Sequence, residues 1–323
     1  MTAKSRQAWS ALLLYVGVAV ALGFVDHRVR RFADHAVTAY IPEVVSGTAE
    51  PPGRYRILAP FFIDAVQGAV GLPPLITFLV VRLAVIYAAL VAMHFYLRHW
   101  YDSFTAMAGT LLLSALLPLT FTNSWAHPDS MFELLFFTGG ALAIARRRDG
   151  WFVAWLVVAA LNRETSAFLL LLWMWDRLGT SAWPAAASRI AIVGALWAGI
   201  TGGIRWARGF AHYQYWMLPA NLASLRPLPA NFDPYVRVSG YMWLLLSGTL
   251  VALAALGTRR VGISTYFGRS LGVACLLLAT GLTISSVIES RIFTPLFPLL
   301  LPAALAGLGA VPERRDATPW RAR

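Results

Sequence analysis

Apolar runs of about 20 residues recur along this chain, and they restrict its possible folds more than any other feature of the sequence. Inside hydrocarbon every backbone N–H and C=O must be satisfied within the protein, so a spanning segment is either an α-helix or a strand of a closed barrel. Barrel strands alternate apolar and polar residues, whereas stretches such as Leu75–Val81 and Leu111–Leu117 do not alternate. Only 13% of the 323 residues are charged and 58% are hydrophobic, against about 25% charged in an ordinary soluble domain. The expected fold class is all-α, a polytopic transmembrane helical bundle forming one integral-membrane domain.

The spacing predicts spans near 9–25, 73–97, 103–123, 129–145, 151–161, 165–176, 189–205, 240–257, 270–287 and 292–310, about ten membrane helices in all. The run over 151–161 and the run over 165–176 are each too short to cross alone. They form either one helix or a broken pair of half-length helices meeting at Asn162-Arg163-Glu164-Thr165. Cytoplasmic connections carry an excess of Lys and Arg. The broken pair puts Lys4, Arg6, Arg98, Arg146 to Arg148, Arg177, Arg189, Arg259, Arg260, Arg269 and the arginine-rich C-terminus on one side; a single helix splits them. The pair is therefore the expected arrangement. It places both termini in the cytoplasm and the long connections, about 26–72 and 206–239, outside. Lys4 and Arg6 before Trp9–Val25 have some signal-peptide character, but an uncleaved first span is expected, with residues after Val25 outside either way. Most of the acids then face outward: Asp26, Asp34, Glu43, Glu50, Asp64, Asp129, Glu133, Glu164, Asp233 and Glu289. The formal charge of +12 sits in short clusters between apolar runs, which points to membrane orientation and not to nucleic acid as a partner. The lone Cys275 inside an apolar run excludes a disulfide framework or a cysteine metal site.

Four outward features could carry chemistry. The first outer segment holds Asp26, Asp34, Tyr40, Arg54 and Arg56. A carboxylate just above the membrane can take a proton from an acceptor hydroxyl, and arginines nearby can hold a phosphate bidentately. The same segment also fits an interfacial amphipathic helix bearing Phe32, Ala36 and Tyr40. His127-Pro128-Asp129 fills a tight turn, where Asp129 could cap the fourth span or, with His127, contact a metal or substrate. Arg163-Glu164 interrupts an apolar stretch, as a functional polar pair or as a buried ion pair that fixes packing. Glu289-Ser290-Arg291 offers either an anion clamp or a local salt bridge. His212, Tyr213, Tyr215 and Trp216 read as an interfacial aromatic belt.

These features together resemble the GT-C superfamily of integral-membrane glycosyltransferases, in particular compact bacterial members. The resemblance rests on Asp34 six residues before Tyr40, the run Tyr55-Arg56-Ile57-Leu58-Ala59-Pro60, Pro128-Asp129 opening the fourth span, the Asn162–Thr165 turn and the Glu289/Arg291 pair. It implies transfer of a sugar from a polyprenyl-phosphate donor to an acceptor hydroxyl on a glycan, lipid or protein, outside the cytoplasm and with inversion. In that reading Asp34 is the base and Asp26 the fallback. Arg163 and Arg291 hold the lipid phosphate, with Glu164, Glu289 and Asp129 orienting them or the sugar. Tyr40, Arg54, Arg56 and His127 are further substrate contacts. The chain lacks the paired acids or Asp-x-Asp pattern of many members, which leaves a divalent ion (Mg²⁺ or Mn²⁺) open as cofactor. A bacterial plasma membrane protein of the cell envelope is the implied setting. The rival readings are a transporter or lipid flippase with a midplane polar site, and a non-catalytic assembly subunit.

Overall fold

The structure, a computed structural model, describes residues 3–30, 35–120, 128–179, 183–211, 216–224, 234–262, 265–285 and 293–313, with side chains omitted at 3–8, 26–30, 220, 223–224 and 234–244. The elements are α1 (Ala3–Arg30), a π-helical turn (Ala36–Tyr40) running into α2 (Ile41–Ser46), a 3₁₀ turn (Gly53–Tyr55), α3 (Leu58–Val70), α4 (Pro74–Leu97), α5 (Ser103–Leu116), α6 (Asp129–Ala145), α7 (Asp149–Asn162), α8 (Ser166–Leu178), α9 (Trp183–Arg208), α10 (Leu218–Ser224), α11 (Pro234–Val261), α12 (Tyr266–Ile284) and α13 (Leu296–Gly307). Among the described residues there is no strand. Pro74–Leu97, Ser103–Thr120, Trp183–Arg208 and Tyr266–Ile284 are each long and apolar enough to cross a membrane. The chain is an α-helical membrane protein.

Helix boundaries follow local chemistry. Proline at the first positions of α2 and α4 suits a turn whose N–H groups lack intrahelical partners. The Asp102 side chain accepts the Thr105 N–H at 2.7 Å and caps α5. Gly47 and Gly71, at φ 81° and 70°, end α2 and α3 in the left-handed region that glycine enters without strain.

Helix α13 is the centre of the bundle, and all of its residues are buried. It packs chiefly on α11, and also on α12, α6 and α5. Glycines set the α11–α13 crossing. A Cβ at Gly257 would run into the Ala303 carbonyl oxygen and lie 2.7 Å from the Gly307 nitrogen.

Helices α7 and α8 form an antiparallel hairpin. Asp149, at the start of α7, accepts from the Trp173 indole at 3.0 Å and pairs with Arg177 at 2.6 Å, near the end of α8. Phe152 and Trp173 stack with ring centroids 5.1 Å apart. At 14 and 13 residues each arm is about 20 Å long, short of the ~30 Å hydrocarbon core. Residues 149–178 thus return to the end they started from, as the broken-pair reading expects.

The hairpin base defines one end of the bundle. There Arg189 approaches Asp149 at 3.7 Å, Arg269 pairs with Asp176 at 2.5 Å, and Arg260 donates to the Ala306 and Gly307 carbonyls at 3.0 Å. The hairpin tip, Arg163-Glu164-Thr165, lies at the other end. Two features of the first long connection differ from expectation. Residues 58–70, expected as loop, form α3, whose Ala59 and Ile63 are buried. The segment Ala36–Ser46 is helical, but its apolar face (Ala36, Tyr40, Ile41 and Val44) is buried in the protein.

Candidate functional site

Two helix ends and one turn bring the polar residues together. Asp129 and Glu133 lie four apart on α6, hence on one face, and both are buried, at 0% and 2% exposure. At the hairpin tip Arg163 has extended backbone (φ −158°, ψ 149°). Successive side chains of an extended segment point to opposite sides, so Arg163 and Glu164 part company. Arg163 Nη1 turns inward to Glu133 Oε2 at 2.6 Å, and its Nε stands 3.4 Å from Asp129 Oδ2. The Thr165 hydroxyl donates to Glu133 Oε1, and that of Thr294 donates to Oε2 at 3.4 Å. Asn162 Nδ2 donates to the Asp129 carbonyl at 3.0 Å and locks the tip onto α6.

Arg56 extends the network outward. Its Nη1 lies 3.4 Å from Asp129 Oδ2, and its Nε lies 4.0 Å from Glu164 Oε2. Burial works against the Arg56 charge, but Asp129, Glu164 and further acidic neighbours outweigh it and hold the group above the ordinary arginine range. Glu164 Oε1 lies 3.9 Å from Arg205 Nη2, near the end of α9. Three arginines and three carboxylates therefore balance in charge, as groups withdrawn from water must.

A second layer ties the first long connection to the end of α9. Tyr55 donates to the Gly209 carbonyl at 2.9 Å and accepts the Ala211 N–H at 3.0 Å. Arg54 donates to the Ala49 and Arg208 carbonyls at 2.9 and 3.3 Å, and Arg208 donates to the Val44 carbonyl at 3.0 Å. The Arg205 guanidinium sits 5.3 Å above the Tyr55 ring, and Arg208 sits at the same distance from Phe61. Trp206 and Phe210, next in sequence to Arg205 and Gly209, are exposed, and so is Trp216.

No protein-family model matches the chain, and neither a curated protein nor a solved structure matches it. The site must therefore be judged on its own geometry.

Of the residues singled out in the sequence, Arg56, Asp129, Arg163 and Glu164 converge in one network. Arg54 is held by carbonyls beside it. Tyr40 is buried against Gly53, where an added Cβ would meet its ring at 3.1 Å. Asp34, His127, Glu289 and Arg291 lie outside the described residues, as does the side chain of Asp26; the belt residues His212, Tyr213 and Tyr215 do too. Among the described residues no three His, Cys, Asp or Glu side chains come together as a metal site.

Two of the alternatives that the sequence left open fall away. Asp129 makes no side-chain cap for α6, whose N-cap is Pro128, because two arginines claim its carboxylate. Arg163 and Glu164 do not neutralise each other, because the extended backbone sends them to different partners. Sequence reading also missed Glu133, Thr165, Arg205 and Thr294 as site members. The signal for Glu133 was present: a carboxylate four residues after Asp129 inside an apolar helix is costly without a partner.

Proposed function

We propose that this chain is a GT-C-type membrane glycosyltransferase. It transfers a sugar from a polyprenyl phosphate to an acceptor hydroxyl, with inversion, on the extracytoplasmic side of a bacterial plasma membrane. The reading takes about ten membrane helices, counting the half-length hairpin, with both termini in the cytoplasm and the hairpin tip outside. The observation that carries it is the cationic mouth: Arg56 and Arg205 flank Glu164 at the hairpin tip, Arg54 and Arg208 join the first long connection to the end of α9 beside them, and the adjoining Trp206 and Phe210 are exposed. Transfer from a lipid phosphate needs cations where the leaving phosphate gains charge, next to a surface where its prenyl chain can lie.

In the proposed step a carboxylate of the first outer segment, Asp34 or failing that Asp26, takes the acceptor's hydroxyl proton. The acceptor oxygen bonds to the anomeric carbon, and the bond from that carbon to the phosphate oxygen breaks. The electron pair leaves with the polyprenyl phosphate, whose charge the arginines stabilise. Arg163 is buried and ion-paired with Glu133 and Asp129, so its part is to hold the tip in place, and the arginines of the mouth take the phosphate. Arg291, with Glu289 and His127, is proposed to face the same mouth.

The test is incubation of purified protein with a panel of polyprenyl-phosphate sugars, with and without Mg²⁺ or Mn²⁺. Sugar transfer or release with at least one donor is expected, and Asp34→Asn should abolish it in folded protein. No turnover with any donor would overturn the assignment. A second reading, transporter or flippase, draws on the hairpin broken at Arg163–Thr165, since broken helices suit a polar site inside the membrane. It predicts passage of a lipid-linked substrate across proteoliposomes without chemical change.

A further inference from the structure

Within the hairpin-tip network the contacts of Glu164 stand apart. Glu133 meets Arg163 at 2.6 Å inside a fully buried setting. Glu164 stands 4.0 Å from Arg56 and 3.9 Å from Arg205, with 29% of its side chain exposed. Charge-assisted N–H···O bonds run at about 2.7–2.9 Å, so the carboxylate is attracted to both arginines but hydrogen-bonded by neither of these atoms. Its two oxygens are divided between them, Oε2 toward Arg56 and Oε1 toward Arg205.

The donor beneath it is unused. Arg56 is buried, at 8% exposure, and among the described residues its Nε has no hydrogen-bond partner. Buried polar groups are almost always paired. Arg56 is kept charged and is anchored from behind by Asp129 at 3.4 Å, which leaves the Nε edge facing Glu164. Arg205 is held over the Tyr55 ring, itself fixed by Gly209 and Ala211, while 39% of its side chain remains open to solvent.

We propose that Glu164 is an internal stand-in for a ligand's phosphate: it occupies the seat between Arg56 and Arg205, and an incoming phosphate monoester displaces it. A phosphate brings three strong acceptor oxygens and more charge than a carboxylate, so it can reach hydrogen-bonding distance of both guanidinium groups, from which Glu164 stands 4.0 and 3.9 Å away. Glu164 sits in the hairpin turn beside Arg163, whose backbone is extended. It can swing outward while Arg163, Asn162 and Thr165 hold the tip in place. The seat thereby stays filled and charge-balanced when empty of ligand, and binding unmasks the Arg56 donor only for a group able to replace the carboxylate. The inference shares its site with the proposed transferase but needs only binding.

The experiment measures binding of inorganic phosphate and of a short-chain polyprenyl monophosphate to the full chain in neutral-lipid nanodiscs, by calorimetry. Glu164→Gln keeps the shape and removes the competing charge; it should tighten binding of the prenyl phosphate about fivefold. Arg205→Ala should weaken it by about tenfold or more. Arg189→Ala, at the opposite end of the bundle, should leave it unchanged. Stronger binding of the prenyl phosphate than of free phosphate identifies a lipid source, and equal binding identifies a soluble one; both support the seat. Unchanged or weaker binding in Glu164→Gln overturns the proposal, as does unchanged binding in Arg205→Ala. Should Glu164→Gln not yield monodisperse protein, Arg205→Ala and Glu164→Asp decide: the shorter acid should also bind more tightly than the parent, and failure of either prediction sinks the idea. Tight binding with no turnover would instead count against the transferase reading alone.

Discussion

Glu133 and Arg163 illustrate how strongly one residue can depend on another when both lie away from water. Removing one member of a buried pair leaves the other charged and unsolvated, at a cost of about 3–5 kcal/mol. Glu133 also accepts from Thr165 and Thr294, so its loss unties three elements together. Glu133→Ala should therefore lower the melting temperature sharply, and the double variant with Arg163→Ala should lose less than the sum of the two single changes. Additive losses in detergent-solubilised protein would show that the pair does not couple. At this scale the sequence was only partly legible. That Arg163 and Glu164 matter follows from the expense of charge in an apolar run, but their partners come from residues 30 and more positions away. Neighbours in sequence part where the backbone is extended, and a sequence does not show φ and ψ.

Helices were read more easily, because the physics that sets them is local. The expected runs over 73–97 and 129–145 become Pro74–Leu97 and Asp129–Ala145, and the short pair becomes Asp149–Asn162 and Ser166–Leu178. Length and apolarity fix those. Helix α3 was missed because its 13 residues are too few to cross a bilayer, and Pro60 and Gly68 in its first and last turns read as loop residues in the sequence. Crossing geometry was also beyond reach. Gly257 and Gly307 look like ordinary glycines in apolar helices, yet a Cβ at Gly307 would strike the Leu253 carbonyl on α11. Small residues let membrane helices approach closely enough for backbone contact. Gly257→Ala and Gly307→Ala should each destabilise by at least about 1–3 kcal/mol, because the obstacle is backbone and cannot rotate aside. Gly194→Ala on α9, with nothing within 4 Å of the added methyl, should be neutral or gain roughly 0.5–1 kcal/mol from helix propensity. Equal effects at all three glycines, read from thermal melting, would remove the close crossing from the explanation of the fold.

The whole molecule depends on where residues 149–178 begin and end. If they crossed as one helix, Asp149 and Arg177 would lie on opposite faces of the bilayer. Their 2.6 Å pair keeps them at one end, together with Arg189, Arg260 and Arg269, while Tyr55, Gly209 and the hairpin tip share the other. In the proposed orientation the basic connections clustered at the hairpin base face the cytoplasm. Cysteine labelling tests both steps. In a Cys275→Ala background, Gly150→Cys and Leu178→Cys report on the hairpin base and Phe210→Cys on the mouth; Gly150 has open space at its Cβ, and Leu178 and Phe210 are exposed. A membrane-impermeant maleimide applied to intact cells should label Phe210→Cys alone, and permeabilised cells should label all three. Labelling of Gly150→Cys and Leu178→Cys from opposite sides would break the hairpin. Labelling of both, but not Phe210→Cys, from outside would keep the fold and invert it, turning the arginine mouth toward the cytoplasm. A base drawn from Asp34 or Asp26 would then work on cytoplasmic acceptors, and the extracytoplasmic transferase would have to be abandoned even with its site intact.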